Sequence, residues 1–108
     1  MAVTDQEVID YVAVSKESGE VVLTISDHLE WELPGRLAVL QGKLNTYLAF
    51  IESGEVFERY PEAEGKPCKI NVVLKHAPDK RGEKFLKMCA DEIAKTEIAF
   101  AYEVYAMG

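Results

Sequence analysis

The feature that most constrains this chain is a repeated change of apolar period. Two stretches near the N-terminus alternate with period two. A stretch follows in which apolar residues recur every three or four positions, and the same switch is then made a second time. Val12 and Val14 alternate with smaller residues, and Val21, Leu23 and Ile25 alternate with Val22, Thr24 and Ser26. Period two is the signature of a strand with one buried face. Between these runs lies "KESG", whose Gly19 can take the positive φ that hairpin loops require. The segment "VIDYVAVSKESGEVVLTI" is therefore predicted to be a β-hairpin. Ahead of it, Thr4 and Glu7 have the spacing of a helix capping box, but the β-branched residues that follow argue for a strand.

In "LPGRLAVLQGKLNTYLAFIESGE", Leu37, Leu40, Leu44, Leu48 and Ile51 fall on one helical face. Pro34 suits a first helical turn, and Gly54 suits the left-handed position past the end. Arg36, Lys43, Asn45 and Glu52 are expected on the opposite, solvated side. "EVFERYPEAEGKPC" reads as a loop held by Phe57 and Tyr60. The run from Lys69 to Lys75 reads as an interior strand. "DKRGEKFLKMCADEIAK" reads as a second helix with Asp79 as its N-cap and Phe85, Cys89 and Ile93 on its buried side. In "EIAFAYEVY", Ile98, Phe100, Tyr102 and Val104 face one way, and Ala99, Ala101, Glu103 and Tyr105 the other.

The predicted order is ββαβαβ, without internal repeats or linkers. It implies a single α+β domain over residues 1–108: a two-layer sandwich of a four-stranded mixed sheet with two helices on one face. A chain of 108 residues holds one modest core. If the second face of the sheet is open, Ala99, Ala101 and Tyr105 form a flat, weakly polar surface that would support a homodimer.

Charge narrows the function classes. The formal net charge is −7. Residues 1–54 carry three bases against nine acids, and residues 55–108 carry nine bases against ten acids. Such a chain repels phosphate backbones, so no nucleic-acid partner is expected, whereas a basic protein partner is. No apolar run approaches membrane-spanning length, and "MAVTDQEVID" lacks the pattern of a signal peptide, so the expected location is the cytoplasm, without membrane association. Cys68 and Cys89 form no CxxC pair and are expected as reduced thiols, one of them in the core. With His28 and His76 they make no ligand cluster, so no metal is predicted. No phosphate-loop or dinucleotide motif occurs, and no cofactor is implied.

The densest chemistry lies in "SDHLEW", residues 26–31, which supports three readings. In the first, Asp27 and Glu30 form a capping box that starts a helical turn, with Leu29 and Trp31 covering one end of the core. In the second, His28 acts as a general acid or base oriented by Asp27 or Glu30. That reading lacks a nucleophile in a recognisable setting. In the third, Trp31 is an exposed aromatic anchor among carboxylates, suited to a basic partner. Its contact surface is Asp27, His28, Glu30, Trp31 and Glu32, with Tyr60 contributed by the loop. No catalytic residues are assigned. The functional expectation is a small acidic, non-catalytic protein-binding module of the regulatory or immunity type. The alternative is a small-molecule binder or hydrolase with a pocket between His28 and the 55–67 loop.

The segments Val21–Trp31, "VVLTISDHLEW", and Tyr47–Pro61, "YLAFIESGEVFERYP", resemble an uncharacterised family of short bacterial α/β proteins. Its members carry a hairpin, a strand ending in I-S-D-H-L-x-W, and a long helix ending in a Y-L-x-F-I-E-S-G-like segment. The resemblance covers most of the chain up to Lys75, and the last third is similar in layout. It implies a bacterial, cytosolic, single-domain protein. It implies no reaction, cofactor or partner, because that family has no assigned activity.

Overall fold

The computed structural model describes residues 11–104. Its elements are β1 (Tyr11–Val14), β2 (Val21–Asp27), α1 (Arg36–Glu52), α2 (Glu55–Arg59), a 3₁₀ turn (Pro61–Ala63), β3 (Cys68–Leu74), α3 (Lys80–Ile93) and β4 (Ala99–Val104). The four strands form one mixed sheet in the order β1-β2-β3-β4. β1 pairs antiparallel to β2, with Val14 opposite Val21. β2 and β3 pair in parallel from Val21 opposite Cys68 to Asp27 opposite Leu74. β3 and β4 are also parallel, with Ile70 opposite Phe100. The fold class is α+β, as the periodicity predicted.

This register carries the alternation of each strand across the sheet. Val21, Leu23, Ile25 and Asp27 are buried along one face of β2, and Cys68, Ile70, Val72 and Leu74 continue that face on β3. They join Leu40, Leu44, Tyr47, Phe50 and Ile51 of α1 and Leu86 and Ile93 of α3 in one core. On the other face, Val22, Thr24, Lys69, Asn71 and Val73 are only half-buried. Among the described residues no helix is long and apolar enough to cross a membrane.

Several local expectations hold. Gly19 has φ 76° at the tip of the hairpin, where Ser15 N–H donates to Glu20 O. Gly54 has φ 84° just past α1, a conformation that costs glycine little. Asp79 caps α3, its carboxylate accepting from Gly82 N–H at 2.8 Å.

Other expectations are corrected. α1 starts at Arg36, with Gly35 as its N-cap at φ 73°, so Pro34 lies ahead of the helix rather than in its first turn. Arg36 and Lys43 do not sit on a solvated side: both are buried. Lys43 approaches the Tyr47 ring at 5.6 Å. The 55–67 segment is not plain loop, because α2 and the 3₁₀ turn lie within it. Fully buried Val56 and Ala63 hold it down, with half-buried Phe57 and Tyr60 packed beside them. The Thr4–Glu7 spacing and Tyr105 lie outside the described residues.

Candidate functional site: the Asp27–Trp31–Arg36 clamp

At the carboxyl end of β2 the chain must leave the sheet and turn back into α1. Asp27 is the last residue of the strand, and its place in the alternation points it inward. Its side chain is buried, yet both oxygens are satisfied. Oδ1 accepts from Leu29 N–H at 3.1 Å, an Asx-turn that bends the chain away from the sheet. Oδ2 accepts from Arg36 Nη2 at 2.6 Å. Both side chains of this ion pair are 0% exposed. The backbone of Asp27 continues the parallel ladder, accepting from Lys75 N–H at 2.8 Å.

Trp31 closes the turn from inside. It is 3% exposed. Its indole Nε1–H donates to His76 O at 2.9 Å, tying the loop after β2 to the loop after β3. The Arg36 guanidinium stacks on the ring, 4.0 Å from the centroid. The planar guanidinium suits this double use, because it can pair with a carboxylate in its plane and stack through its face. Gly82 of α3 lies against the same ring: a Cβ built there would stand 2.7 Å from Cε3 and 2.8 Å from Cζ3. Asp27, Trp31, Arg36, Gly82 and the His76 carbonyl therefore clamp together two strand ends and two helices. Removing one partner of such a buried pair costs about 3–5 kcal/mol, since the other charge is left unmatched in the interior.

The outward side chains of the loop behave differently. His28, Glu30, Glu32 and Pro34 are exposed, and Leu33 is 41% exposed although apolar. Residues 28–35 thus form a loop pinned from beneath that displays an imidazole, two carboxylates and a leucine.

The sequence-predicted residues are divided by this geometry. Asp27 and Trp31 are interior, so neither contributes an exposed contact. His28, Glu30 and Glu32 lie together on the surface of one loop. Tyr60 is at the other end of the sheet. The segment that contains it leads to Pro67, whose carbonyl accepts from Val21 N–H at the start of β2, whereas the clamp is at the Asp27–Leu74 end. Seven paired residues separate the two ends, about 20 Å at strand rise. His28 and the Pro67 end of the 55–67 segment therefore lie at opposite ends of the β2–β3 pairing. The capping-box geometry is also absent: Asp27 accepts from the N–H two residues on rather than three, and no helix starts there.

Three contributors escaped the sequence reading. Arg36, by its charge, is expected on the solvated side of α1. Gly82 and the His76 carbonyl carry no signal in the sequence, whereas Arg36, nine residues after Asp27, is within pairing reach of it across a turn. Neither thiol belongs to the clamp. Cys68 and Cys89 are both free. Burial raises the pKa of each, that of Cys89 to about 11. Among the described residues no group of three His, Cys, Asp or Glu could hold a metal ion.

The model of a family of unknown function, DUF6572, matches residues 1–106. No curated protein matches the chain. No solved structure matches it either. The chain belongs to the DUF6572 family.

Proposed function

We propose that this member of a family of unknown function is a small acidic, non-catalytic protein-binding module of the regulatory or immunity type. Its contact surface is the outward side of the 28–35 loop: His28, Glu30, Glu32 and Leu33. The observation that carries this reading is the division of labour within the loop. Asp27, Trp31 and Arg36 fix its backbone from inside, while two carboxylates and a 41% exposed leucine face solvent. A pre-ordered loop binds with a smaller entropic cost than a mobile one. An apolar side chain beside carboxylates suits a basic partner. The chain's net charge of −7 would assist its approach. Tyr60 falls outside this surface.

The clamp weighs against the hydrolase alternative. Both carboxylate oxygens of Asp27 are committed to Arg36 and Leu29. Of the two carboxylates that could orient His28, Asp27 is thus engaged elsewhere. The proposed setting is the cytoplasm. A homodimer through the second face of the sheet is the alternative assembly, which sedimentation velocity over a concentration series tests directly.

The contact surface is tested by comparing the wild-type chain with Glu30→Lys/Glu32→Lys in parallel pull-downs from native cells. The expected result is a protein retained by the wild type, released as salt rises, and lost in the variant at unchanged melting temperature. Equal retention by both chains would contradict the surface.

A further inference from the structure

β4 stands at one end of the sheet. Among the described residues it pairs only with β3, so the backbone groups along its far side meet no other strand. That edge is six residues long, about 20 Å at strand rise. Edge strands are commonly guarded by a lysine, a proline, a bulge or shortness. "AFAYEV" has no lysine or proline, its pairing with β3 runs without a bulge, and its one charge is Glu103.

The side chains beside this edge are open as well. The register sets Phe100, Tyr102 and Val104 opposite Ile70, Val72 and Leu74, on the face that carries the helices. Those three partners on β3 are fully buried, and Phe100 packs against the core. Beyond Phe100 the cover stops: Tyr102 is 41% and Val104 42% exposed. Of the four large apolar side chains exposed among the described residues, these two share one strand, two positions apart.

The strand is complementary to a copy of itself. Two chains related by a two-fold axis at Tyr102 would pair antiparallel, with both helix layers on the same side of one continuous sheet. Tyr102 then faces Tyr102 of the second copy, Phe100 faces Val104, and Ala101 faces Glu103. Aromatic and β-branched cross-strand pairs of this kind stabilise a sheet. Each Glu103 lies across from an alanine, which keeps the two carboxylates apart. The next in-phase register, centred on Glu103, would set them face to face. A slip of one residue would turn the apolar side chains of one copy to the other side of the sheet.

We propose that two copies of this chain associate edge to edge through β4, joining two four-stranded sheets into one of eight. A second copy is the occupant because the pairing matches apolar with apolar and glutamate with alanine on both sides of the axis. The surface is separate from the 28–35 loop, and also from the second face of the sheet, where Thr24 and Asn71 lie. Each copy carries a net charge of −7, so the association should tighten as added salt screens the repulsion.

The test is sedimentation velocity of the full chain over a concentration series at low and raised salt, with amide hydrogen exchange on ¹⁵N-labelled protein. The expected result is a monomer–dimer equilibrium in which alternate β4 amides gain protection as concentration rises. Tyr102→Lys/Val104→Lys changes two exposed side chains and should weaken association by about tenfold or more, at an unchanged melting temperature of the dilute chain. Ala101→Lys sets an ammonium across from Glu103 of the second copy and should tighten it. Thr24→Lys/Asn71→Lys, on the second face, should leave it unchanged. A monomer at every concentration and both salts would overturn the proposal and leave the edge to a strand of another protein. So would a dimer that survives Tyr102→Lys/Val104→Lys, a dimer abolished by Thr24→Lys/Asn71→Lys, or growth past the dimer. Loosening by Ala101→Lys would overturn the register.

Discussion

Replacing Gly82 with alanine sets helix propensity against packing at one position. Gly82 lies in the first turns of α3, where alanine would ordinarily gain up to about 1 kcal/mol. The new methyl would instead meet Trp31 at 2.7 and 2.8 Å and Pro78 Cβ at 3.0 Å. Carbon atoms pack best at about 3.5–4.0 Å, so one side must move by most of an ångström. The ring has little room to yield. Its Nε1–H is held by His76 O at 2.9 Å, and Arg36 is stacked upon it. Overpacking of this type costs about 1–3 kcal/mol. The net expectation is a loss of about 1–2 kcal/mol, or about 5–10 °C in melting temperature for a domain of this size. Urea unfolding followed by circular dichroism measures it. In a Trp31→Leu background the penalty should largely vanish, giving a coupling energy of about 1–2 kcal/mol between the two sites. A Gly82→Ala variant more stable than wild type, as propensity alone predicts, would refute the reasoning.

Asp27→Asn should destabilise the chain by about 3–5 kcal/mol in the same assay, because Arg36 would keep its charge in a buried site without its counterion. Replacing both partners, as in Asp27→Leu/Arg36→Met, should recover much of that loss, and failure to do so would show that the pair does more than match its own charges. Burial raises the Cys89 thiol to about 11 from an ordinary 9.0. The unfolded chain therefore releases this proton more readily, and the contribution of Cys89 to stability should be intact below pH 9 and fade as pH rises towards 11. Alkylation by iodoacetamide should be slow at neutral pH and accelerate over the same range. A rapid reaction near pH 8 would contradict that environment.

The parts of this fold that were legible in the sequence are those in which one residue's polarity reports its own burial. The alternation in β2 and β3 worked because Val21, Leu23, Ile25, Ile70 and Val72 are apolar wherever they face inward. The α1 stripe worked in the same way at Leu40, Leu44 and Ile51, and Asp79 announced α3 through its short range to Gly82. Periodicity failed where burial depends on a partner. Charge alone puts Arg36 and Lys43 outside, yet Arg36 is drawn in by Asp27 and by the Trp31 ring. α2 and the 3₁₀ turn have five and three residues, too few for a helical period to register. The site was half legible. "SDHLEW" was recognisable as the place where the chain does something unusual, and His28, Glu30 and Glu32 do share one exposed loop. The direction of Trp31 was not legible, because it is decided by Gly82 and the His76 carbonyl, which lie some fifty residues further on and reach the ring only through the parallel pairing of β2 with β3.

Trp31 is the only tryptophan in the chain, so its fluorescence has a single source. Its emission maximum and acrylamide quenching on the native protein test the clamp directly. Burial against Arg36 and Gly82 predicts a blue-shifted maximum and strong resistance to quencher, both lost together with the fold in denaturant. A red-shifted, readily quenched native signal would place the indole in water and contradict the clamp on which the shape of the 28–35 loop depends.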